Sequence, residues 1–245
     1  MSRVVGIIPA RWGSTRFPGK ALRGIAGKPL IQHVWERCTE AECFDQVVVA
    51  TDDMRIADVC FAFGAEIALT SAEHKSGTDR IAEVAKKLRK ASLIFNIQGD
   101  EPLIDPSLLR ELVRGLRREK KIEMITAAVA FSSDASLTEH NVKVVFDRKG
   151  DALYFSRSGI PFHRAAGQTH FYKHLGIYGY RRRALLNFVK WKPGLLEQAE
   201  QLEQLRALEN GMKIRVVVSE LDSIGVDTPE DAAEIERLIL SRRNR

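Results

Sequence analysis

Between Pro9 and Lys20 the chain reads PARWGSTRFPGK, with Arg11, Arg16 and Lys20 set among two glycines and two hydroxyls directly after an apolar run. Backbone N–H groups near Gly13 can form an anion nest, and arginine grips phosphate bidentately. The chemistry on offer is the holding of phosphate groups. Neither common phosphate loop accounts for it. A Walker A loop requires GxxxxGK[ST], whereas Gly13 and Gly19 are separated by five residues and Lys20 is followed by Ala21. No GxGxxG follows a strand either.

Two carboxylates extend the pattern. Asp100 lies in IFNIQGDEP, just past a buried apolar run, and Asp227 lies in IGVDTPED. Magnesium takes phosphate oxygens together with one or two protein carboxylates, so aspartates from distant strand ends can supply such a site. Asp227 fits equally well as the neighbour of a helix cap, with Thr228 at N-cap and Pro229 in the first turn. The six histidines include no HExxH pattern, and no GxSxG elbow is present. Zinc and Ser/His/Asp chemistry are therefore without support.

These residues need strand ends to carry them. Apolar runs rich in β-branched residues alternate with helical periodicity. Strands are expected at Val4–Pro9, Gln46–Thr51, Glu66–Leu69 and Ser92–Ile97, and helices at Pro29–Glu42, Asp53–Phe63, Asp79–Lys90 and Pro106–Glu119. That alternation predicts a Rossmann-like α/β fold, a mostly parallel sheet with helices on both faces. Beyond residue 122 the pattern changes. A longer strand at Glu123–Phe131 precedes VKVVFDRKGDALYFS, which reads as an antiparallel hairpin. A strand at 172–180, helices at Ala184–Trp191 and Leu195–Gly211, a strand at Lys213–Ser219 and a helix at Thr228–Ser241 complete the chain. The expected organisation is one domain, 1–245, with a small antiparallel lobe inserted at about 132–181. Ligands of open α/β sheets bind outside the carboxyl ends of the strands. The loops at 9–20, 51–53, 71–80 and 98–102 converge there.

Composition bounds the function. Apolar residues make up 44% of the 245 residues and charged residues 29%, the profile of a globular protein. The absence of an apolar run of about 18 residues excludes a membrane helix. The N-terminus lacks a signal peptide, so a cytoplasmic protein is expected. Cys38, Cys43 and Cys60 form no CxxC pair and fall in helical apolar patterns, as buried thiols in a reducing compartment would. Net charge is +6, but part of the excess sits in YRRR (180–183) and in the tail, and aromatic residues are only 7%. Nucleic-acid binding would need a basic stripe with stacking aromatics, and no nucleic-acid partner is expected.

The segments IIPARWGSTRFPGKAL, SGTDR, NIQGDEP, VKVVFD with ALYFSR and IP, HLGIYGY, LEQLR and GVDTPED follow one another between residues 3 and 237. Together they closely resemble the 3-deoxy-manno-octulosonate (Kdo) cytidylyltransferases, which have a nucleotide-diphospho-sugar transferase-like fold. PARxGSxR alone is shared with CMP-sialic acid synthetases, but HLGIYGY and LEQLR speak against a sialic acid. The resemblance implies transfer of CMP from CTP to the anomeric hydroxyl of Kdo, with magnesium as cofactor, release of pyrophosphate, and a role in lipopolysaccharide synthesis. It assigns catalysis to Arg11, Lys20, Asp100 and Asp227, the two aspartates being metal ligands. It assigns CTP to Pro9, Ala10, Arg11, Ser14, Lys20, Ser76, Gly77, Arg80 and Gln98. It assigns Kdo to Gln98, Arg157, His174, Tyr178, Glu203 and Gln204. From the residues alone, Arg157 equally fits a surface arginine, His174 and Tyr178 fit core positions, and Glu203 and Gln204 fit a solvated helix face. A homodimer is expected from the resemblance and the hairpin's exposed edge. Trp12 and Gly13 depart from the residues frequent at those positions, with little effect expected. The short segment Phe162–Phe171 also departs, and an amino-bearing Kdo analogue stays open as acceptor.

Overall fold

A computed structural model describes residues 3–13, 17–131, 138–164 and 170–243. The chain divides into two compact units, Met1–Arg110 with Ser223–Arg245, and Glu111–Asp222. The expected lobe at 132–181 falls within the second unit.

In the first unit, β1 (Arg3–Ala10) pairs in parallel with β4 (Gln46–Thr51) and with β6 (Ala91–Asn96), and β4 pairs in parallel with β5 (Glu66–Leu69). Val4, Val5, Ile7 and Ile8 of β1 are all fully buried, which is why this strand reads as an unbroken apolar run. From β1 the chain steps outward through α1 (Leu30–Glu40) to β4 and through α2 (Met54–Ala62) to β5. It then returns past β1 to β6 through α3 (Gly77–Lys87). Because such crossovers are right-handed, the reversal places α1 and α2 on one face and α3 on the other. It also makes the gap between β1 and β6 the topological switch point, where an open α/β sheet binds its ligand.

A small antiparallel pair, β2 (Gly24–Ile25) and β3 (Lys28–Pro29), and a 3-10 turn at Lys20–Leu22 precede α1. Neither has a readable periodicity, being two or three residues long. The C-terminal helix α8 (Pro229–Arg243) packs on this region: Val226, Ala232 and Ile235 share a buried cluster with Ile25 and Leu30. Burying one large aliphatic side chain contributes about 1.5–3 kcal/mol, against about 0–1 kcal/mol for an exposed ion pair. The apolar stripe therefore brings the chain end back to the first loop. Cys38 and Cys60 are buried on α1 and α2, but Cys43 lies beyond the end of α1 and is only half-buried, a correction to the helical reading.

In the second unit, β7 (Met124–Phe131) pairs in parallel with β11 (Ile214–Ser219) and antiparallel with β10 (Phe171–Arg181). β10 meets β8 (Lys143–Phe146), which forms the expected hairpin with β9 (Ala152–Ser156). α5 (Arg182–Phe188) follows β10 directly. The single helix expected over 195–211 is two, α6 (Leu195–Glu200) and α7 (Gln204–Glu209), broken at Gln201 in the left-handed region at φ 54°. The break lets α7 fold back on α6. The Glu209 carboxylate accepts from the Leu196 N–H at 3.0 Å, satisfying an orphan donor at the start of α6. Arg206 and Glu197 form a buried two-pronged pair, with Nε at 2.7 Å.

Candidate active site

At the switch point lies a cavity of about 290 Å³. Pro9, Ala10 and Arg11 line it from the end of β1, and Gln98, Gly99 and Asp100 from the loop after β6. Ser76, Gly77 and Arg80 come from the start of α3, and Lys20 and Asp227 close it. Every described residue expected for the nucleotide thus lines this one cavity; Ser14 lies outside the described residues.

Local physics sets each wall. Ser76 caps α3, its hydroxyl accepting from the Asp79 N–H at 3.1 Å. Arg80 is only 3% exposed, and it donates to the Thr70 hydroxyl at 2.5 Å and to Asp52 at 3.0 Å. Asp52, from the loop after β4, thereby holds Arg80 without lining the cavity itself. Gly99 is required for close approach: a Cβ there would stand 3.0 Å from the Pro9 carbonyl and 3.2 Å from Ile31 Cδ1. Gly19 adopts φ 70° with the Trp12 ring at 3.1 Å from where its Cβ would be. The Gly19 N–H donates to the Trp12 carbonyl at 3.0 Å. The Arg55 guanidinium lies over that ring, 3.4 Å from its centroid. Trp12 is therefore built into the loop that presents Lys20.

The Lys20 ammonium donates to Asp100 at 2.6 Å and to Asp227 at 3.1 Å. Residues 80 and 207 positions away in sequence meet on one nitrogen. A main-chain hydrogen bond from Val226 N–H to the Asp100 carbonyl, 2.8 Å, ties the two loops together. The cap reading of this segment is also what the chain adopts. The Asp231 N–H donates to the Thr228 hydroxyl at 3.2 Å, and Asp231 accepts from the Asp227 and Thr228 N–H groups at 2.9 and 2.8 Å. Burial pushes the Asp231 carboxyl upward, but these amides, the Thr228 hydroxyl and the Lys20 charge hold it below its ordinary value. The cap aims the Asp227 side chain, so its two readings are one arrangement. Among the described residues no group of three or more His, Cys, Asp or Glu could hold a metal. Two hard carboxylates at one cation-filled point suit magnesium, which completes its shell with phosphate and water.

The remaining expected residues, other than Gln98, lie in the second unit. Four residues along an unbroken strand, His174 and Tyr178 would stand about 13 Å apart. A bulge in β10 changes this: Leu175 pairs with Ala127 and Tyr178 with Thr126, leaving Gly176 and Ile177 outside the register. The two rings are consequently 5.3 Å apart. The Thr126 hydroxyl donates to the Ile177 carbonyl at 2.7 Å and lies 2.9 Å from His174 Nε2. Having given its one proton to Ile177, it accepts from Nε2–H, which fixes the imidazole tautomer. Burial lowers the His174 pKa to about 3 and pushes the Tyr178 phenol well above its ordinary value, with Tyr180 and Glu203 adding to the latter. Both are neutral groups at neutral pH. Glu203 opens α7, and Gln204 beside it is buried. Arg157 is bonded to Glu200 and Glu139.

The His174 environment carries a stability prediction. The ring is protonated below about 6.5 in the unfolded chain but only near 3 in the folded protein. Its contribution is therefore fully present above pH 6.5 and is lost as pH falls from 6.5 toward 3. Melting temperature should fall across that window, and His174→Gln should flatten part of the fall. Parallel curves for the two proteins would contradict the assignment.

Sequence reasoning missed Ala21, His74, Lys75 and Gly99 as cavity residues, and Asp52, Thr126, Lys143 and Glu200 as supports. A threonine inside MITAAVAF and a lysine at the head of KVVF were the available signals.

Comparison with known proteins agrees with this architecture. Residues 5–214 match a family model described as cytidylyltransferase, and the chain belongs to that family. More narrowly, it belongs with the 3-deoxy-manno-octulosonate cytidylyltransferases. The protein of that name from Geobacter metallireducens is 49% identical over 245 residues, covering 95% of this chain and 96% of that protein. The one from Syntrophobacter fumaroxidans is 52% identical over 237 residues, covering 94% of each. A solved structure of a CMP:2-keto-3-deoxy-manno-octonic acid synthetase complexed with CTP superposes with a TM-score of 0.95 at 42% identity, covering 98% of this chain and all of that one. A Leptospira borgpetersenii cytidylyltransferase, 20% identical with a TM-score of 0.69, shares the fold.

Proposed function

We propose that this protein transfers CMP from CTP to the anomeric hydroxyl of Kdo, releasing pyrophosphate and supplying CMP-Kdo for lipopolysaccharide synthesis. The observation that carries this is the meeting of Lys20, Asp100 and Asp227 at the switch-point cavity. Arg11 and Lys20 hold the triphosphate and offset the charge that builds on the leaving pyrophosphate. The main chain at Pro9 and Ala10, with Ser76, Gly77 and the Asp52-braced Arg80, receives the cytosine, and Ser14 joins the nucleotide contacts. Asp100 and Asp227 hold magnesium, which when bound polarises phosphate oxygens and lowers the pKa of an acceptor hydroxyl. Arg157 takes the acceptor carboxylate. His174 and Tyr178, both neutral, exchange hydrogen bonds with sugar hydroxyls, as do Glu203 and Gln204, and Gln98 serves both substrates.

The test is magnesium-dependent pyrophosphate release from CTP with Kdo as acceptor and the other three nucleotides as controls. Release with CTP and Kdo alone is expected. Release only with another sugar acid would overturn the acceptor, and equal release with all nucleotides would overturn the base assignment. An amino-bearing Kdo analogue, run alongside, sets the sugar preference.

In the same assay Gly99→Ala should lose about tenfold in turnover, since the added Cβ displaces the Asp100 loop. Overpacking against the Pro9 carbonyl should also cost about 1–3 kcal/mol in a thermal melt. Normal turnover would mean that the loop absorbs the methyl without moving Asp100.

The protein works in the cytoplasm as a homodimer through the β8–β9 hairpin. Among the described residues β9 pairs only with β8, and its Leu153 is 63% exposed. A monomer mass by light scattering at working concentration would contradict the dimer.

A further inference from the structure

Lys143, at the start of β8, has no exposed surface. Its ammonium donates to the carbonyls of Thr138 at 2.9 Å, Asn141 at 2.5 Å and Arg157. All three donors are spent on neutral main-chain oxygens. Such a cation, taken out of water, needs a strong reason to be there. Burial lowers its pKa, and the charge of Glu200 opposes that.

Glu200, the last residue of α6, works on the same segment from the other side. Its carboxylate accepts from the Ser156 hydroxyl at 2.6 Å and from the Arg157 N–H at 2.9 Å, and its own carbonyl accepts from Arg157 Nε at 2.9 Å. The Glu139 carbonyl takes Arg157 Nη1 at 3.0 Å. Arg157 is thus held at its N, O, Nε and Nη1 atoms at once. Among the described residues no carboxylate pairs with the guanidinium. Among the described residues, two of its five N–H donors have partners and three have none. With Nε and Nη1 each held by a main-chain carbonyl, the guanidinium is fixed in direction while keeping donors for a carboxylate.

We propose that Lys143 and Glu200 are positioning residues that hold Arg157 in place to receive the acceptor carboxylate. This rests on the reading of Arg157 given under the proposed function. The division of labour follows from the contacts: Lys143 anchors the Arg157 main chain through its carbonyl, and Glu200 sets both its N–H and the direction of its guanidinium.

The test is a mutant cycle on the full-length protein, with pyrophosphate release read separately against Kdo and CTP. Glutamine at position 200 offers one acceptor and one donor where two donors must be met. Glu200→Gln should raise the KM for Kdo about 10- to 100-fold and leave the KM for CTP unchanged. In an Arg157→Ala background the same change should add little, because residues acting through one group are not additive. Lys143→Met should behave alike where it folds. A loss shared equally by both substrates, or one fully additive to Arg157→Ala, overturns the proposal. A second readout does not depend on turnover. Proton exchange at the Arg157 backbone amide, whose partner is the Glu200 carboxylate, followed by NMR, should be slow in the wild type and faster in Glu200→Gln, and unchanged exchange overturns the proposal as well. Failure of the acceptor assignment is distinct: it shows in the wild type as release with a different sugar acid, and the cycle is then read with that acid.

Discussion

Lys20→Met should reduce CTP-dependent pyrophosphate release by about 10²- to 10³-fold, the usual cost of removing one preorganised group that stabilises developing charge. The Lys20 side chain is 16% exposed and meets two carboxylates, at 2.6 and 3.1 Å. In the free protein its ammonium occupies the point between Asp100 and Asp227. Removing it therefore has two consequences of opposite sign. The triphosphate loses a cation and turnover collapses, whereas a magnesium ion no longer competes with a lysine for the aspartates. Calorimetric titration of the CTP-free variant should show magnesium binding at least as tight as in the wild type. Stability should change little, since partly exposed ion pairs contribute about 0–1 kcal/mol. Turnover at the wild-type level would remove Lys20 from the triphosphate site, and weaker magnesium binding would separate the aspartates from the metal.

Asp100→Asn should abolish turnover, by about 10³-fold or more, and leave the fold intact. The asparagine is isosteric, and the hydrogen bond that joins this loop to the C-terminal segment uses the Asp100 carbonyl rather than its side chain. What the substitution removes is the negative charge that a hard cation needs. Pyrophosphate release and a melting curve, measured on the same preparation, separate the two effects. Retained activity would take Asp100 out of the metal site, and a lowered melting temperature would show that its charge also braces the loop.

The sequence of this protein determines most of its elements, because burial imposes a period of two or 3.6 that survives in the residue pattern. β1, β4 and β6 read as apolar runs and α1, α3 and α4 (Pro106–Arg118) as amphipathic helices, with ends within a few residues of those observed. It also names the loops of the cavity, since those follow the strand ends. The tertiary structure alone decides what depends on chain segments meeting at a distance. The turn at Gln201 exists because Glu209 and Arg206 reach back to α6. The β10 bulge, which brings His174 onto Tyr178, is stabilised by the Thr126 hydroxyl from the neighbouring strand. Lys143 reads as an ordinary strand lysine until carbonyls from two segments, Thr138 and Asn141 before it and Arg157 after β9, close around it. Asp227 reads as a cap neighbour until α8 packs its apolar stripe onto Ile25 and Leu30 and sets it beside Lys20. Local periodicity records which side of an element is buried, but not what it is buried against. The contacts that make a site are chosen by that second fact.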